Sequence, residues 1–248
     1  KKSLNVDKFS DIIVADGNNY PDALAGSYLA KVKKAPLILV DRSVASEKMI
    51  GEYIEKKLSD KGTVYLLGGS DVVTERFEKS LKGIDVKRLA GDTRYETNLE
   101  ILDEAKASKE DLLACTGEGF ADSLSASAVG KPILLVDNRG LTTAQQTYLD
   151  KANVQEIYLI GGADVVSDKV GKELQSYDKD SKTERIAGDN RYKTSVAVAK
   201  AFFPDKCDTV VLAYGMKFPD GLAGGPLAIS MESPLLLVED TAYADAKA

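Results

Sequence analysis

Short apolar runs alternate with amphipathic stretches along the chain, and this pattern predicts alternating strands and helices. Residues 11–15 form an apolar run that ends at a glycine turn, and residues 21–33 then carry apolar positions at helical spacing. Residues 36–40 are apolar without interruption, which is typical of a parallel strand covered on both faces. The pattern then predicts helix 47–58, strand 63–67, helix 74–81, strand 86–90 and helix 95–107.

The same order of elements returns in the second part of the chain and begins a third time near residue 209. Its predicted strands are 111–116, 132–136, 156–160 and 185–187, and its predicted helices are 121–129, 143–152, 167–176 and 192–203. Alternating strands and helices with short connections imply parallel strands joined by right-handed crossovers. We therefore predict an α/β fold of tandem three-layer α/β/α modules with parallel sheets, of the Rossmann-like or flavodoxin-like kind.

One strand-turn-helix phrase occurs three times, at residues 15–25, 115–125 and 213–223. Its aspartates are 100 and 98 residues apart, so each module is about 100 residues long. A site that occurs three times favours recognition of a repetitive ligand, such as a polymer, over a single catalytic centre.

Two further motifs occur twice each. Residues 65–73 match residues 158–166 around a Gly-Gly pair, and residues 88–97 match residues 185–194 around an Arg-Tyr pair. We expect the missing Arg-Tyr copy before residue 1 and the missing Gly-Gly copy after residue 248, so that residues 240–248 begin an unfinished helix. The predicted modules cover residues 1–84, 85–183 and 184–248, with the first incomplete at its N-terminal end and the third at its C-terminal end.

Composition narrows the function classes. The chain has 248 residues, a formal net charge of −6 and no histidine. The absence of histidine excludes Ser-His-Asp and Cys-His catalysis and histidine-based zinc sites. The acidic balance disfavours a nucleic-acid partner, because phosphate neutralisation needs a basic face, and the apolar runs are too short for membrane insertion. We expect neither a metal site nor a cofactor.

Four motifs in a fixed order resemble a known family. R-[IL]-A-G-x-x-R-Y-x-T is followed by [YF]-[PA]-D-x-L, then by P-[IL]-[IL]-L-V, and then by Y-L-[IL]-G-G. This combination covers essentially the whole chain and resembles the cell wall binding repeat type 2 family of Gram-positive surface proteins. The resemblance implies three modules around a pseudo-threefold axis that attach an S-layer or other surface protein, without a covalent bond, to an anionic secondary wall polymer.

The resemblance also implies a secreted protein in the cell wall or S-layer, with a teichoic-acid-like glycopolymer and possible surface-layer proteins as partners. It implies that any enzymatic activity lies outside the repeats, so this chain is not expected to be an enzyme. The family's binding motif is usually placed at the P-I-L-L strand. Here the matching residues are Pro36, Leu37, Ile38, Leu39, Pro132, Ile133, Leu134, Leu135, Pro234, Leu235, Leu236 and Leu237. From their apolar character alone, these residues predict only buried central strands.

Arginines and tyrosines at equivalent positions are the remaining candidates for polymer binding: Arg88, Arg94, Tyr95, Arg185, Arg191 and Tyr192. Guanidinium groups form bidentate contacts with phosphate or carboxylate, so these positions suit an anionic polymer. The alternative is that the arginines pair with Asp or Glu of their own or the adjacent module and hold the array together.

Aspartates and glycines of the repeats allow two interpretations each. Asp22, Asp122 and Asp220 fall in the first turn of a predicted helix, which favours a carboxylate there, whereas catalysis needs a second acid or base that does not recur in every copy. The repeated glycines predict tight turns or, alternatively, backbone N–H groups that cradle phosphate. Two other functions stay open: a nucleotide- or small-anion-binding α/β enzyme and a lattice-forming structural module.

Overall fold

The computed structural model describes residues 7–239 as ten strands that alternate with nine helices. The first group is β1 (Phe9–Asp16), α1 (Pro21–Lys33), β2 (Leu37–Val40), α2 (Val44–Lys57), β3 (Leu58–Leu67), α3 (Glu75–Ser80), β4 (Asp85–Leu89) and α4 (Arg94–Glu104). The second is β5 (Leu112–Thr116), α5 (Ala121–Ala126), β6 (Ile133–Val136), α6 (Thr143–Ala152), β7 (Ile157–Ile160), α7 (Asp168–Gln175), β8 (Thr183–Ile186) and α8 (Arg191–Phe202). The third is β9 (Val211–Tyr214), α9 (Pro219–Ser230) and β10 (Leu235–Val238).

The strands form three parallel sheets. Their strand orders are β2-β1-β3-β4, β6-β5-β7-β8 and β10-β9. The first strand of each sheet pairs in equivalent register with the P-[IL]-[IL]-L strand: Ile13 with Leu37, Leu113 with Ile133, and Val211 with Leu235. The repeated order confirms the predicted α/β fold with parallel sheets, because each crossover helix returns the chain to the end of the sheet at which the previous strand began.

The sheets group the strands differently from the sequence repeats. β4 pairs with β3 in the first sheet, and β8 pairs with β7 in the second. The boundaries predicted after residues 84 and 183 fall just before β4 and within β8, so they separate each arginine strand from most of its sheet. Division of the chain into modules at those residues stays a prediction. The helix predicted over residues 240–248 lies outside the described residues.

Local sequence explains where the helices begin and end. α4 starts with a capping box, in which Thr93 and Glu96 each accept a hydrogen bond from the backbone N–H of the other. α5 ends at Ala126, three residues before the predicted end at residue 129. The chain then turns at Gly130, whose φ of 73° lies in the left-handed region. Because the connection from α5 to β6 is short, α5 ends about one turn earlier than predicted.

The central helices α1, α5 and α9 share one hydrophobic core. Leu24, Leu124 and Leu222, which occupy the same place in the threefold phrase, are all buried in that core. A Cβ atom on Gly221 would lie 2.8 Å from both terminal carbons of Leu124, so the absence of a side chain lets α9 approach α5. Within residues 7–239, no helix is long and apolar enough to cross a membrane.

Candidate functional site

Helices α4 and α8 fasten one sheet to the next through equivalent arginines. Arg94 donates from Nη1 to the carbonyl oxygen of Gly117, in the turn after β5. Arg191 donates from Nη1 to the carbonyl oxygen of Gly215, in the turn after β9, at 2.7 Å. The second half of each Arg-Tyr motif thus lies on the strand-end turn of the following repeat.

The tyrosine after each arginine covers the same turn. A Cβ atom on Gly117 would lie 2.6 Å from Cε1 of Tyr95, and one on Gly215 would lie 2.6 Å from Cε1 of Tyr192. Glycine is therefore required there for close approach of the ring. The Tyr95 hydroxyl donates to Glu118 at 2.8 Å, and burial, together with this carboxylate, raises the pKa of Tyr95.

Polar side chains on α4 and α8 bind backbone groups at the outer edges of two P-[IL]-[IL]-L strands, β6 and β10. Asn98 donates from Nδ2 to the carbonyl oxygen of Ile133 and accepts from the backbone N–H of Leu135, both at 2.8 Å. Ser195 accepts from the backbone N–H of Leu237 at 3.1 Å. These contacts satisfy backbone groups that an edge strand otherwise leaves unpaired. The strands β6 and β10 thus lie at the junctions between repeats.

Three aromatic rings meet where the first turns of α1, α5 and α9 converge. The ring centroids of Tyr20, Phe120 and Phe218 are 5.8, 5.8 and 5.4 Å apart, in tilted or edge-to-face contact. The guanidinium of Arg94 lies 5.9 Å from the Tyr20 ring centroid, and that of Arg191 lies 5.7 Å from the Phe120 centroid. This aromatic triad brings together one residue from each of the three repeats.

Two strand-end clefts flank the triad. The first strand-end cleft, of about 170 Å³, and the second, of about 450 Å³, lie at the carboxyl ends of the first and second sheets. Both are lined by an aspartate from the helix start, an aspartate from the Gly-Gly turn, an aspartate from the turn after the arginine strand, and an arginine. These residues are Asp22, Asp71, Asp92 and Arg94 in the first cleft, and Asp122, Asp164, Asp189 and Arg191 in the second. Carboxyl strand ends are where open α/β sheets commonly bind ligands.

Asp22 and Asp122, in the first turns of α1 and α5, pack closely against the Gly-Gly turns. Gly68 and Gly161 have φ values of 95° and 105°, and a Cβ atom on either would collide with the carboxyl group of Asp22 or Asp122. Burial raises the pKa of Asp22 to about 6, opposed in part by Arg94. Burial likewise raises the pKa of Asp122, opposed by Thr194 and Arg191. Asp220 is exposed.

Replacing Asp22 by asparagine is expected to stabilise the folded protein at neutral pH. The pKa of Asp22 is higher in the folded protein than its ordinary value of 3.8, so stability falls as the pH rises from about 4 to about 6. Asp22→Asn removes this decrease and gains roughly 1–3 kcal/mol at pH 7.5. Urea unfolding from pH 4 to 8 measures it, with the exposed Asp220→Asn as the control, expected within about 0.5 kcal/mol of wild type. A wild-type stability that rises over this range, with no gain in Asp22→Asn, contradicts the expectation.

The model of the family described as cell wall binding domain 2 (CWB2) matches residues 1–78, 88–171 and 185–248. The chain belongs to this family. Each of the three matched segments contains one occurrence of the repeated phrase. The resemblance inferred from the four motifs is confirmed.

Relatives of this CWB2 chain include two proteins of Bacillus subtilis (strain 168). N-acetylmuramoyl-L-alanine amidase LytC is 27% identical over 236 residues, covering 92% of this chain and 45% of LytC. The amidase enhancer is 29% identical over 201 residues, covering 79% of this chain and 26% of that protein. The CWB2 chain therefore spans less than half the length of these relatives.

Solved structures show the same architecture. Cwp8 from Clostridium difficile superposes with a TM-score of 0.84 at 27% identity, over 95% of this chain and 41% of Cwp8. Cwp6 from Clostridium difficile also has a TM-score of 0.84, at 22% identity, over 96% of this chain and 40% of Cwp6. Both similarities confirm the fold of the CWB2 chain.

The predicted binding arginines separate into two pairs in the CWB2 structure. Arg88 donates to the carbonyl oxygen of Gly68 at 2.7 Å and pairs with Glu78 at 2.8 Å. Arg185 pairs with Asp168, at a different position of the corresponding helix, at 3.0 Å and donates to the carbonyl oxygen of Gly161, the first glycine of its own Gly-Gly turn. Each of these two arginines therefore holds the Gly-Gly turn of its own repeat in place. Only the other pair, Arg94 and Arg191, lines the strand-end clefts.

The P-[IL]-[IL]-L candidates lie mainly in the core. Residues 133–136 are fully buried, Leu235 and Leu237 are buried, and residues 37–39 are half-buried. The strand-end clefts are lined by other residues. Truncating one of these leucines would therefore disturb packing first, at roughly 2–5 kcal/mol for a core leucine.

Three parts of the site are absent from the residues predicted from the sequence. These are the aromatic triad, the edge-binding residues Asn98 and Ser195, and the acidic positions Asp71, Asp164, Asp92 and Asp189. The aromatic and acidic sets occupy equal offsets within matched motifs, and Asn98 and Ser195 directly follow the two copies of the Arg-Tyr motif. Periodicity alone did not show that their side chains converge, because they lie on loops and helix starts that follow different strands.

Proposed function

We propose that the chain is a non-enzymatic anchoring unit that binds an anionic secondary polymer of the Gram-positive cell wall. The main support is a pair of strand-end clefts in one array, each lined by an arginine and three aspartates at equivalent positions. Membership of a cell-wall-binding family supports the proposal. Equivalent clefts on one chain gain affinity for a repeating ligand through effective concentration, so neither cleft needs to bind strongly.

Arg94 and Arg191 are the proposed contacts for the polymer's anionic groups. A guanidinium has five N–H donors, and in both residues the contact with the neighbouring turn uses Nη1. The aromatic ring beside each guanidinium holds its plane in position. A carboxylate accepts hydrogen bonds, so the carboxylates of the larger, second cleft suit hydroxyl groups of the polymer.

The proposal extends to the setting of the protein. An anchoring unit of this kind belongs outside the cell, in the wall or S-layer, and carries another functional region of a longer surface protein. LytC is named as an amidase, and this chain matches less than half of it. We propose that repeats of this kind supply attachment and leave catalysis and contacts with other surface-layer proteins to further regions.

The double variant Arg94→Gln, Arg191→Gln is expected to bind wall sacculi at least tenfold more weakly, because both clefts lose their cation. Co-sedimentation measures binding before and after the anionic polymers are stripped with acid, at low and high salt. We expect wild-type binding to disappear with the polymer and to weaken with salt.

The matched control is Lys151→Gln, Lys172→Gln, which removes the same charge from two exposed residues away from the clefts. Circular dichroism establishes that both double variants are folded. Unchanged binding by the folded arginine variant would refute the arginine assignment. Wild-type binding that survives removal of the polymer would refute polymer recognition.

A further inference from the structure

The two strand-end clefts occupy equivalent places in their repeats but differ in size and in lining. The second cleft, at about 450 Å³, falls within the usual size range of ligand sites, whereas the first, at about 170 Å³, is smaller. Asn19 and Pro21 line the first cleft where Gly119 and Ala121 line the second. Smaller residues at these two positions open the second cleft.

The open cleft has an apolar wall that its counterpart lacks. Tyr20 and Phe120 of the aromatic triad line the second cleft, and no aromatic residue lines the first. Tyr20 comes from the first repeat, so this cleft is built across a junction between repeats. An apolar aromatic wall beside a few directed polar groups is the usual composition of a site for a small organic ring.

The charges of the second cleft select against an anionic ring. Glu118, Asp122, Asp164 and Asp189 line it together with one cation, Arg191. Lys193 pairs with Asp189 at 2.9 Å, and Arg94 lies 3.8 Å from Glu118. With Arg191, these cations still leave the carboxylates of the cleft in excess. Ionised carboxylates only accept hydrogen bonds, so they bind hydroxyl or amide donors and repel phosphate or carboxylate groups.

We infer that the second strand-end cleft binds an uncharged, hydroxyl-rich sugar ring of the wall polymer, and that the first does not. The ring packs on Tyr20 and Phe120 and donates hydroxyl hydrogens to the carboxylates, including Asp164. The polymer's anionic groups lie beside the ring and contact Arg191, the one cation that lines this cleft, and Arg94 in the first cleft. This inference rests on the proposed anchoring function and names the chemical unit that one of its clefts recognises.

The test compares equivalent residues of the two clefts. Asp164→Asn and Asp71→Asn change the exposed aspartate of each Gly-Gly turn, so the two variants share the same chemistry and the same place in the fold. The probes are oligosaccharides from hydrolysed Gram-positive wall polymer, separated by anion exchange into neutral and anionic fractions. Ligand-observed saturation-transfer NMR and calorimetry on the 248-residue chain measure binding.

We expect the neutral fraction to bind wild type, to bind Asp164→Asn at least fivefold more weakly, and to bind Asp71→Asn within twofold of wild type. A third variant, Gly119→Asn, gives the second cleft the residue type that the first cleft has at the equivalent position, Asn19. A Cβ atom there would lie 3.6 Å from its nearest neighbour, in ordinary contact, so the fold accommodates it. Gly119→Asn is expected to lose neutral binding while it keeps the wild-type melting temperature within a few degrees.

Each contrary outcome separates this inference from the anchoring proposal. Binding of intact polymer and anionic fragments without neutral fragments overturns the inference and leaves anchoring standing. Equal losses in Asp164→Asn and Asp71→Asn also overturn it, because both clefts would then hold the ring. Absence of binding to intact polymer as well as to both fractions refutes the anchoring function itself.

Discussion

Asn98→Ala is expected to lower the free energy of unfolding by roughly 2–6 kcal/mol. The substitution leaves two buried backbone groups without a hydrogen-bond partner, and each costs about 1–3 kcal/mol. The Asn98 side chain is fully buried and forms hydrogen bonds with both the carbonyl oxygen of Ile133 and the N–H of Leu135. Alanine leaves a cavity that supplies no replacement donor or acceptor. Urea denaturation monitored by circular dichroism measures the change.

Ser195→Ala is the matched variant at the next junction. Ser195 accepts a hydrogen bond from a single backbone group, the N–H of Leu237. Removing its hydroxyl is therefore expected to lower the free energy of unfolding by roughly 1–3 kcal/mol, less than Asn98→Ala does. This ordering tests the claim that α4 and α8 hold the array by binding strand edges. Two equally small effects would show that packing alone, without these hydrogen bonds, holds the helices in place.

Glu104→Gln is expected to destabilise the protein by roughly 3–5 kcal/mol, because it leaves a largely buried lysine without its counter-charge. Glu104 pairs with Lys33 at 2.5 Å and also with Lys87, and its side chain is only 13% exposed. The contacts join α1, β4 and α4, so the effect concerns the junction between the first two repeats. Thermal and urea unfolding at pH 7 measure the loss.

The same carboxyl group makes stability depend on acid pH. Burial by itself raises the pKa of Glu104, but hydrogen bonds and charge from Lys33 and Lys87 outweigh burial and lower the pKa to about 2. A depressed carboxyl pKa contributes stability that is present above pH 4.5 and is lost as the pH falls toward 2. Glu104→Gln is therefore expected to flatten the stability curve over that range.

The control is Glu75→Gln, which removes an exposed carboxylate paired with Lys79 one helical turn away. Exposed pairs of this kind contribute little, so this variant is expected to behave like wild type at every pH. If Glu104→Gln unfolds with the same midpoint as Glu75→Gln, the network around Glu104 has no stabilising role.

Much of the fold was predictable because its signals are local and repeated. Glycine turns, continuous apolar strands and helical spacing predict parallel α/β repeats, and the strand pairings confirm them. The helix predicted over residues 121–129 was too long at its end, because the left-handed turn at Gly130 depends on how the shortened connection meets β6. Boundaries of this kind follow from tertiary contacts, which periodicity does not report.

The candidate site was less predictable from residue type. Arginine suits an anionic ligand wherever it occurs, yet Arg88 pairs with Glu78 while Arg94 lines a cleft beside Tyr20. Both belong to one ten-residue motif, and nothing in their spacing distinguishes them. Their different surroundings arise because Arg88 belongs to the last strand of one sheet, while Arg94 starts the helix that packs on the next.

By itself, the sequence determined the class of fold, the number of times its central phrase occurs and the family to which the chain belongs. These are properties of order along the chain, since apolar periodicity and turn residues act over a few neighbours. Only the tertiary structure decided that three aromatic residues about 100 positions apart form one triad, and that Asn98 binds an edge strand 35 residues onward. Such contacts depend on how whole sheets dock, which is set by packing summed over the entire core.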